Sequence, residues 1–196
     1  MLTVSPDPVV VESQLAAGEL SCPECAAVLA PWGHARERPL GRGLGRVRLR
    51  LRRGRCRWCG ATQVLLPATV LLRRGDFAAV IGRALAAWAV GDGQRQIAAA
   101  LGVPRSTVRG WLSRLAARAE RIRAHFTRWA LWLAPSLARL EPSGSLVGDA
   151  VAAMATAWEA AGGDLAGLGR WGFASAATGG RLLCNTSASF PAPWKR

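Results

Sequence analysis

Residues 94–115 read QRQIAAALGVPRSTVRGWLSRL. Two short helical patterns meet at Gly102. Ile97, Ala98 and Leu101 fall on one face of the first, and Val108, Trp111, Leu112 and Leu115 fall on one face of the second, at spacings of three and four. Gly102 can take a positive φ without steric cost, so it makes the turn. Ala98 is small enough to let the two helices approach closely. A helix-turn-helix results, with Val103 packed in the turn. Once the apolar face of the second helix is buried, Arg105, Ser106, Thr107, Arg109, Gly110 and Ser113 are left on or beside its outer face. An arginine there can grip guanine N7 and O6 with both arms of its fork. The alternative is a three-helix bundle with no ligand.

Upstream, FAAVIGRALAAWAV (77–90) repeats the helical spacing at Phe77, Val80, Ile81, Ala84, Leu85 and Trp88, and the GDG that follows stops it. Downstream, the apolar row continues through Ala119, Ile122, Phe126 and Trp129, so a single long third helix is expected from near Arg105 to about Leu133. Arg114, Arg118, Arg121 and Arg128 make a stripe along it, suited to phosphate contact or to a solvated face. Trp88, Trp111, Trp129 and Trp132 read as core or subunit-interface residues. Pro135 and EPSGS (141–145) close this region, and a weaker helical segment, LVGDAVAAMATAWEAAG (146–162), precedes a Gly/Ser-rich tail.

Before the helices, Cys22, Cys25, Cys56 and Cys59 form two Cys-x-x-Cys pairs. Two residues between cysteines let both sulfurs of a tight turn face one tetrahedral zinc, and four thiolates leave no open position for catalysis. Pro23 and Gly60 suit such turns; Ala26 stands where glycine would be easier. The 30 residues between the pairs exceed the roughly 15–20 of short ribbons, so a longer hairpin is required. Val47, Leu49 and Leu51 alternate with Arg46, Arg48, Arg50 and Arg52, the period of a strand with one apolar and one cationic face, and TQVLL (62–66) can supply another strand. A ribbon with one structural zinc held by the four cysteines is expected. His34 is a weaker candidate ligand, and Cys184 reads as an incidental thiol. Unmetallated or redox-active thiols are the alternative.

Charge narrows the function. The chain of 196 residues carries 26 basic and 12 acidic residues, a formal +14, and every basic residue but Lys195 is arginine. Residues 35–140 hold 22 basic and 4 acidic residues, whereas 1–34 hold none and 4. A polyanion-binding middle is implied. Arg55 and Arg57, beside Cys56, can offset the charge of a tetrathiolate site. Arg36, Arg38, Arg42, Arg46, Arg48, Arg50, Arg52 and Arg53 face only Glu37 in residues 36–53, and suit phosphate. No run approaches the roughly 18 apolar residues of a membrane helix, and nothing at the N-terminus marks secretion, so a cytoplasmic, nucleoid-associated protein is expected.

The elements CPEC, APWGHARER, VRLRLRRGRCRWCGATQVLLPATVLLRR and AVIGRALAAWAVGDGQRQIAAALGVPRSTVRGWLSRL together resemble an actinobacterial family of uncharacterised zinc-ribbon and helix-turn-helix proteins. More distantly they resemble the N-terminal DNA-binding region of insertion-sequence transposases. The resemblance spans about residues 21–134 and implies the four cysteines as zinc ligands and residues 94–115 as the DNA reader. Transposases of that kind cut DNA with three acidic residues on a ribonuclease-H-like domain; the 62 residues after Ala134 are too few and too Gly/Ala-rich for one, and no strand pattern gathers Asp149, Glu159 and Asp164.

The resulting expectation is a mainly α protein with a small β zinc ribbon: leader 1–20, ribbon 21–70, helix-turn-helix domain 71–134, and a small helical segment with a flexible tail over 135–196. It binds double-stranded DNA and is not an enzyme. It acts as a regulator or as accessory to a separately encoded recombinase, and can form a homodimer. A DNA-binding subunit or truncated remnant of a transposase, and a zinc-ribbon adaptor for RNA or protein, are the alternatives.

Overall fold

The computed structural model describes residues 1–41, 45–137, 142–163, 167–185 and 189–192. Arg42, Asp164 and Lys195 lie outside them. The fold is mainly α with a small β ribbon at the N-terminal end. β1 (Leu2–Val4), β2 (Leu29–His34), β5 (Arg52–Cys56) and β6 (Thr62–Pro67) form one sheet in the order β1-β6-β5-β2, while β3 (Arg38–Leu40) and β4 (Val47–Leu49) form a separate hairpin.

Three sequence expectations are corrected in this region. Residues 1–20 are part of the ribbon: β1 pairs parallel with β6, Leu2 opposite Leu65, and α1 (Pro8–Ala16) buries Val11 and Leu15. Asp7 starts that helix by accepting a hydrogen bond from the Val9 amide at 2.8 Å, and Pro8 sits at its first position, where no amide is needed. The acidic composition of the segment concealed an apolar face of only a few residues. Second, the alternating run 46–52 is not one strand. β4 ends at Leu49 and β5 starts at Arg52, in different sheets, because Leu51 turns into a small core with Leu40, Leu66 and Val70, whereas Val47 stays exposed. The third correction concerns the far end of the chain: α6 (Leu146–Ala160) and α7 (Gly169–Ala177) share one core with the helix-turn-helix, so these two helices are no loose appendage.

That larger core is built on α2 (Ala78–Ala89), α3 (Gln94–Leu101), α4 (Arg105–Ala116) and α5 (Ala119–Leu133). Ile81, Leu85, Val108, Leu112, Leu115, Ile122, Phe126 and Trp129 are almost completely buried within it, each such aliphatic or aromatic side chain contributing about 1.5–3 kcal/mol. The expected long third helix is broken. Its ladder stops at Ala117, the Arg118 amide bonds back three residues to the Leu115 carbonyl at 3.0 Å, and Arg118 leaves helical geometry at φ −131° and ψ 6°. No glycine or proline marks the break. It redirects α5, which then packs along α6 and buries Ala119, Ile122, Phe126 and Trp129 there, a tertiary gain that local propensity does not show.

The C-terminal elements clamp ribbon to helices. Ser175 on α7 donates its hydroxyl to the Val70 carbonyl at 2.9 Å, and the Leu72 amide donates to the Gly180 carbonyl at 2.8 Å. Gly82 on α2 lies flat against Trp171 of α7; a Cβ there would come within 1.9 Å of the indole. His125 is buried among Phe126, Trp129 and Phe190, with Nε2 donating to the Ala177 carbonyl oxygen at 2.9 Å. Among the described residues no helix is long and apolar enough to cross a membrane.

Two outcomes are expected. Gly82→Ala must push Trp171 off its seat and should lower unfolding free energy by on the order of 1–3 kcal/mol in denaturant titrations. Burial, against the help of the Ala177 bond, brings the His125 pKa down to about 4. The unfolded imidazole protonates near 6.5, so the unfolded state binds the extra proton between these values. This contribution to stability is complete above about 6.5 and is lost as pH falls towards 4, on the order of 2 kcal/mol by pH 5. His125→Gln should remove that part of the pH dependence of unfolding.

Candidate nucleic-acid interface and metal centre

The register of β2 on β5 places Leu29 opposite Cys56 and so brings the two cysteine turns to one end of the sheet. The turns are near copies. The Cys22 amide donates to the Ala27 carbonyl at 2.8 Å, and the Cys56 amide to the Ala61 carbonyl at 2.9 Å. The residue after each second cysteine is left-handed: Ala26 at φ 60° and Gly60 at φ 71°. Ala26, the residue out of keeping in the sequence, therefore holds the conformation that glycine prefers.

All four Sγ atoms lie within 4.8 Å of one another, Cys25 to Cys56 at 3.4 Å and Cys22 to Cys59 at 3.8 Å, and none is in a disulfide. The Trp58 and Cys59 amides both point at Cys56 Sγ from 3.4 Å. Burial raises the Cys56 thiol, but these amides and the hydrogen bonds from Cys25 and Cys59 outweigh it and bring it down to about 6. The Ala61 amide favours the Cys59 thiolate, yet burial and the three neighbouring sulfurs push that thiol up to about 12. Four thiols this close resist shedding all their protons unless a cation replaces them. The donor set thus fits a metal ion held by four sulfurs. Among the described residues His34 is not part of this cluster; it sits on β2 opposite Arg52, across an irregular register.

The turn between α3 and α4 is built as its sequence requires, with Gly102 at φ 61° and ψ 34°. Along α4, Val108, Trp111, Leu112 and Leu115 are buried, while Arg105, Ser106, Arg109 and Ser113 are exposed and Thr107 is half-buried. The exposed set lies on one outward face. Arg114 is different: half-buried, it donates from Nη1 to the Gly110 carbonyl at 2.5 Å and folds back along its own helix.

The expected cationic stripe of α5 is partly covered. Phe190 lies beneath Arg118 and Arg121, with their guanidinium carbons 5.4 and 4.8 Å from its ring centre. Arg128 is exposed. Burial first, and then the neighbouring Arg121, hold the Arg118 pKa below its ordinary value. On the ribbon, Arg46 and Arg50 are exposed, and Arg48 pairs with Glu37 at 2.9 Å while remaining 84% exposed. Arg52 does not join them. It forms a two-armed bond to Glu12 at 2.5 and 3.2 Å and donates to the Gly33 carbonyl at 2.7 Å, with its side chain only 18% exposed. Its role is to hold α1 against the sheet, a partnership hidden by a separation of 40 positions in the chain. Sequence reasoning also passed over Trp32 and Trp58, both exposed on the ribbon; the signal was there in Trp58, set between two metal-ligand positions where no core exists.

Residues 79–123 match the family of homeodomain-like domains, which covers α2 to the start of α5. No curated protein and no solved structure matches the chain. The homeodomain-like domain points to DNA binding, and the cysteine cluster is compatible with zinc.

Cys56→Ser should abolish stoichiometric metal binding, read by elemental analysis, and lower the melting temperature of the metal-loaded protein. Ala26→Gly, which relieves a left-handed alanine, should raise stability by about 1 kcal/mol in denaturant titrations with metal bound.

Proposed function

We propose that the chain is a transposon-derived, sequence-specific double-stranded DNA-binding protein with one structural zinc, acting as a regulator or as an accessory to a separately encoded recombinase. The observation that carries this reading is the division of α4. Its buried side fastens it to α2 and α3, and its free side sets Arg105, Ser106, Arg109 and Ser113 in a row within a homeodomain-like domain. In such domains the second helix of the turn motif enters the major groove. Arg109 is mid-face and reaches a base edge; Arg105 and Ser106, at the helix start, hold base or backbone. Exposed Arg46, Arg48 and Arg50 on the ribbon supply sequence-independent phosphate contact.

Zinc, when bound to Cys22, Cys25, Cys56 and Cys59, would cross-link the two turns and leave no open coordination position. Asp149 serves a local end, accepting the Ser143 amide at 2.6 Å at the start of α6. On this reading the chain does not cut or join DNA by itself. A transposase remnant remains compatible with the same residues, since its DNA-reading part would be identical.

Selection of bound sequences from a random duplex pool should yield a defined site. Arg109→Ala should then lose on the order of 1–3 kcal/mol on that site and much less on random duplex. Replacing Arg46 and Arg50 together by alanine should weaken both and flatten the salt dependence of log K by roughly 2 units. An unchanged specificity ratio for Arg109→Ala contradicts the assignment of α4 as reader.

A further inference from the structure

The ribbon presents a second surface that the duplex reading leaves unused. In the four-stranded sheet, Leu29, Cys56 and Gln63 face inward and are buried. Their neighbours face out. Ala30 pairs with Arg55 and Arg55 with Thr62, and Trp32 lies two residues further along β2 on the same side. Trp32 is 47% exposed, and the Arg55 guanidinium lies over its ring at 4.6 Å from the centre while Nε donates to the Gly60 carbonyl at 3.3 Å. At the cysteine end, Trp58 is 84% exposed. With Arg57 it borders a shallow cleft of about 500 Å³ shared with Val28, Ala27 and Leu15. Val28, which lines that cleft, and Trp32 are four residues apart along the β2 segment, so a strip of about 13 Å of chain joins the cleft to Trp32.

We propose that this strip binds the unpaired bases of a single DNA strand, stacking them on Trp58 and Trp32 while Arg53, Arg55 and Arg57 meet the backbone. An indole so exposed carries a large apolar face in water, and every base offers it a flat π surface. Paired bases inside a duplex cannot reach it. The charge selects the occupant: β2, β5 and β6 carry no acidic residue, and residues 36–57 hold ten arginines against Glu37 alone. A stacking platform flanked by guanidinium groups is the recurring solution for single strands. The inference extends DNA binding to a surface separate from α4, and it rests on the ribbon's residues rather than on the helix-turn-helix.

The test uses the metal-loaded full chain with three probes: an oligothymidine strand, an abasic strand of equal length, and a duplex carrying the selected site. Oligothymidine should quench tryptophan fluorescence and bind more tightly than the abasic strand. Trp58→Ala should weaken oligothymidine binding by about 5- to 150-fold, with duplex affinity, metal content and melting temperature unchanged; Trp32→Ala should weaken it less. Arg109→Ala should leave oligothymidine binding intact, so failure of the duplex reading and failure of this one give different patterns. Equal binding of the thymidine and abasic strands, or unchanged oligothymidine affinity in Trp58→Ala, would overturn the proposal. So would an equal loss on strand and duplex.

Discussion

Four sulfurs converge at the end of a sheet too small to hold itself together. The ribbon core consists of Val4, Val11, Leu15, Leu20, Leu29 and Leu65, and its two remaining buried members are Cys22 and Cys56. A cluster of that size does not offset the chain entropy of some seventy residues. A metal held by the cysteine turns would therefore contribute folding free energy to the ribbon. Such a cross-link would hold the two cysteine turns together. The turns lie at one end of the β2–β5 pairing, whose outer side carries Arg55 over Trp32, and the second turn carries Trp58.

The helical body solves a different problem. It has ample apolar surface, and its constraint is that α4 must be held on one side only. Trp111 and Leu115 fasten α4, the break at Ala117 and Arg118 takes α5 away along α6, and the free side of α4 remains uncovered. Had the helix run on unbroken, Ile122, Phe126 and Trp129 would have lost their seat. The C-terminal segment closes the arrangement: α7 ties α2 to Val70, just after β6, and Phe190 sits under Arg118 and Arg121 at the start of α5. The two basic surfaces, ribbon and α4, are thus carried by one continuous body.

Local chemistry was legible in the sequence, and distant partnerships were not. The cysteine spacing foretold the cluster, Gly102 the turn, and the three-and-four spacing the buried residues of α2, α3 and α4, because each depends on residues a few positions apart. Arg52 looked like one more phosphate contact because Glu12 lies in a segment whose composition gave no reason to fold back. The α4–α5 break was invisible because alanines and arginines favour helix on both sides of it, and only packing against α6 decides the geometry. Trp58 escaped notice for the opposite reason: tryptophan is usually core, and a metal turn has no core to offer it.

The central claim, that α4 reads base edges in the major groove, is tested most directly by methylation interference on the selected duplex. Methylation of guanine N7 blocks the edge that an arginine fork grips. The account predicts that methylation at one or a few discrete guanines abolishes binding, while methylation elsewhere in the site has no effect. Binding that is indifferent to N7 methylation at every guanine, yet sensitive to a ligand filling the minor groove, would contradict it.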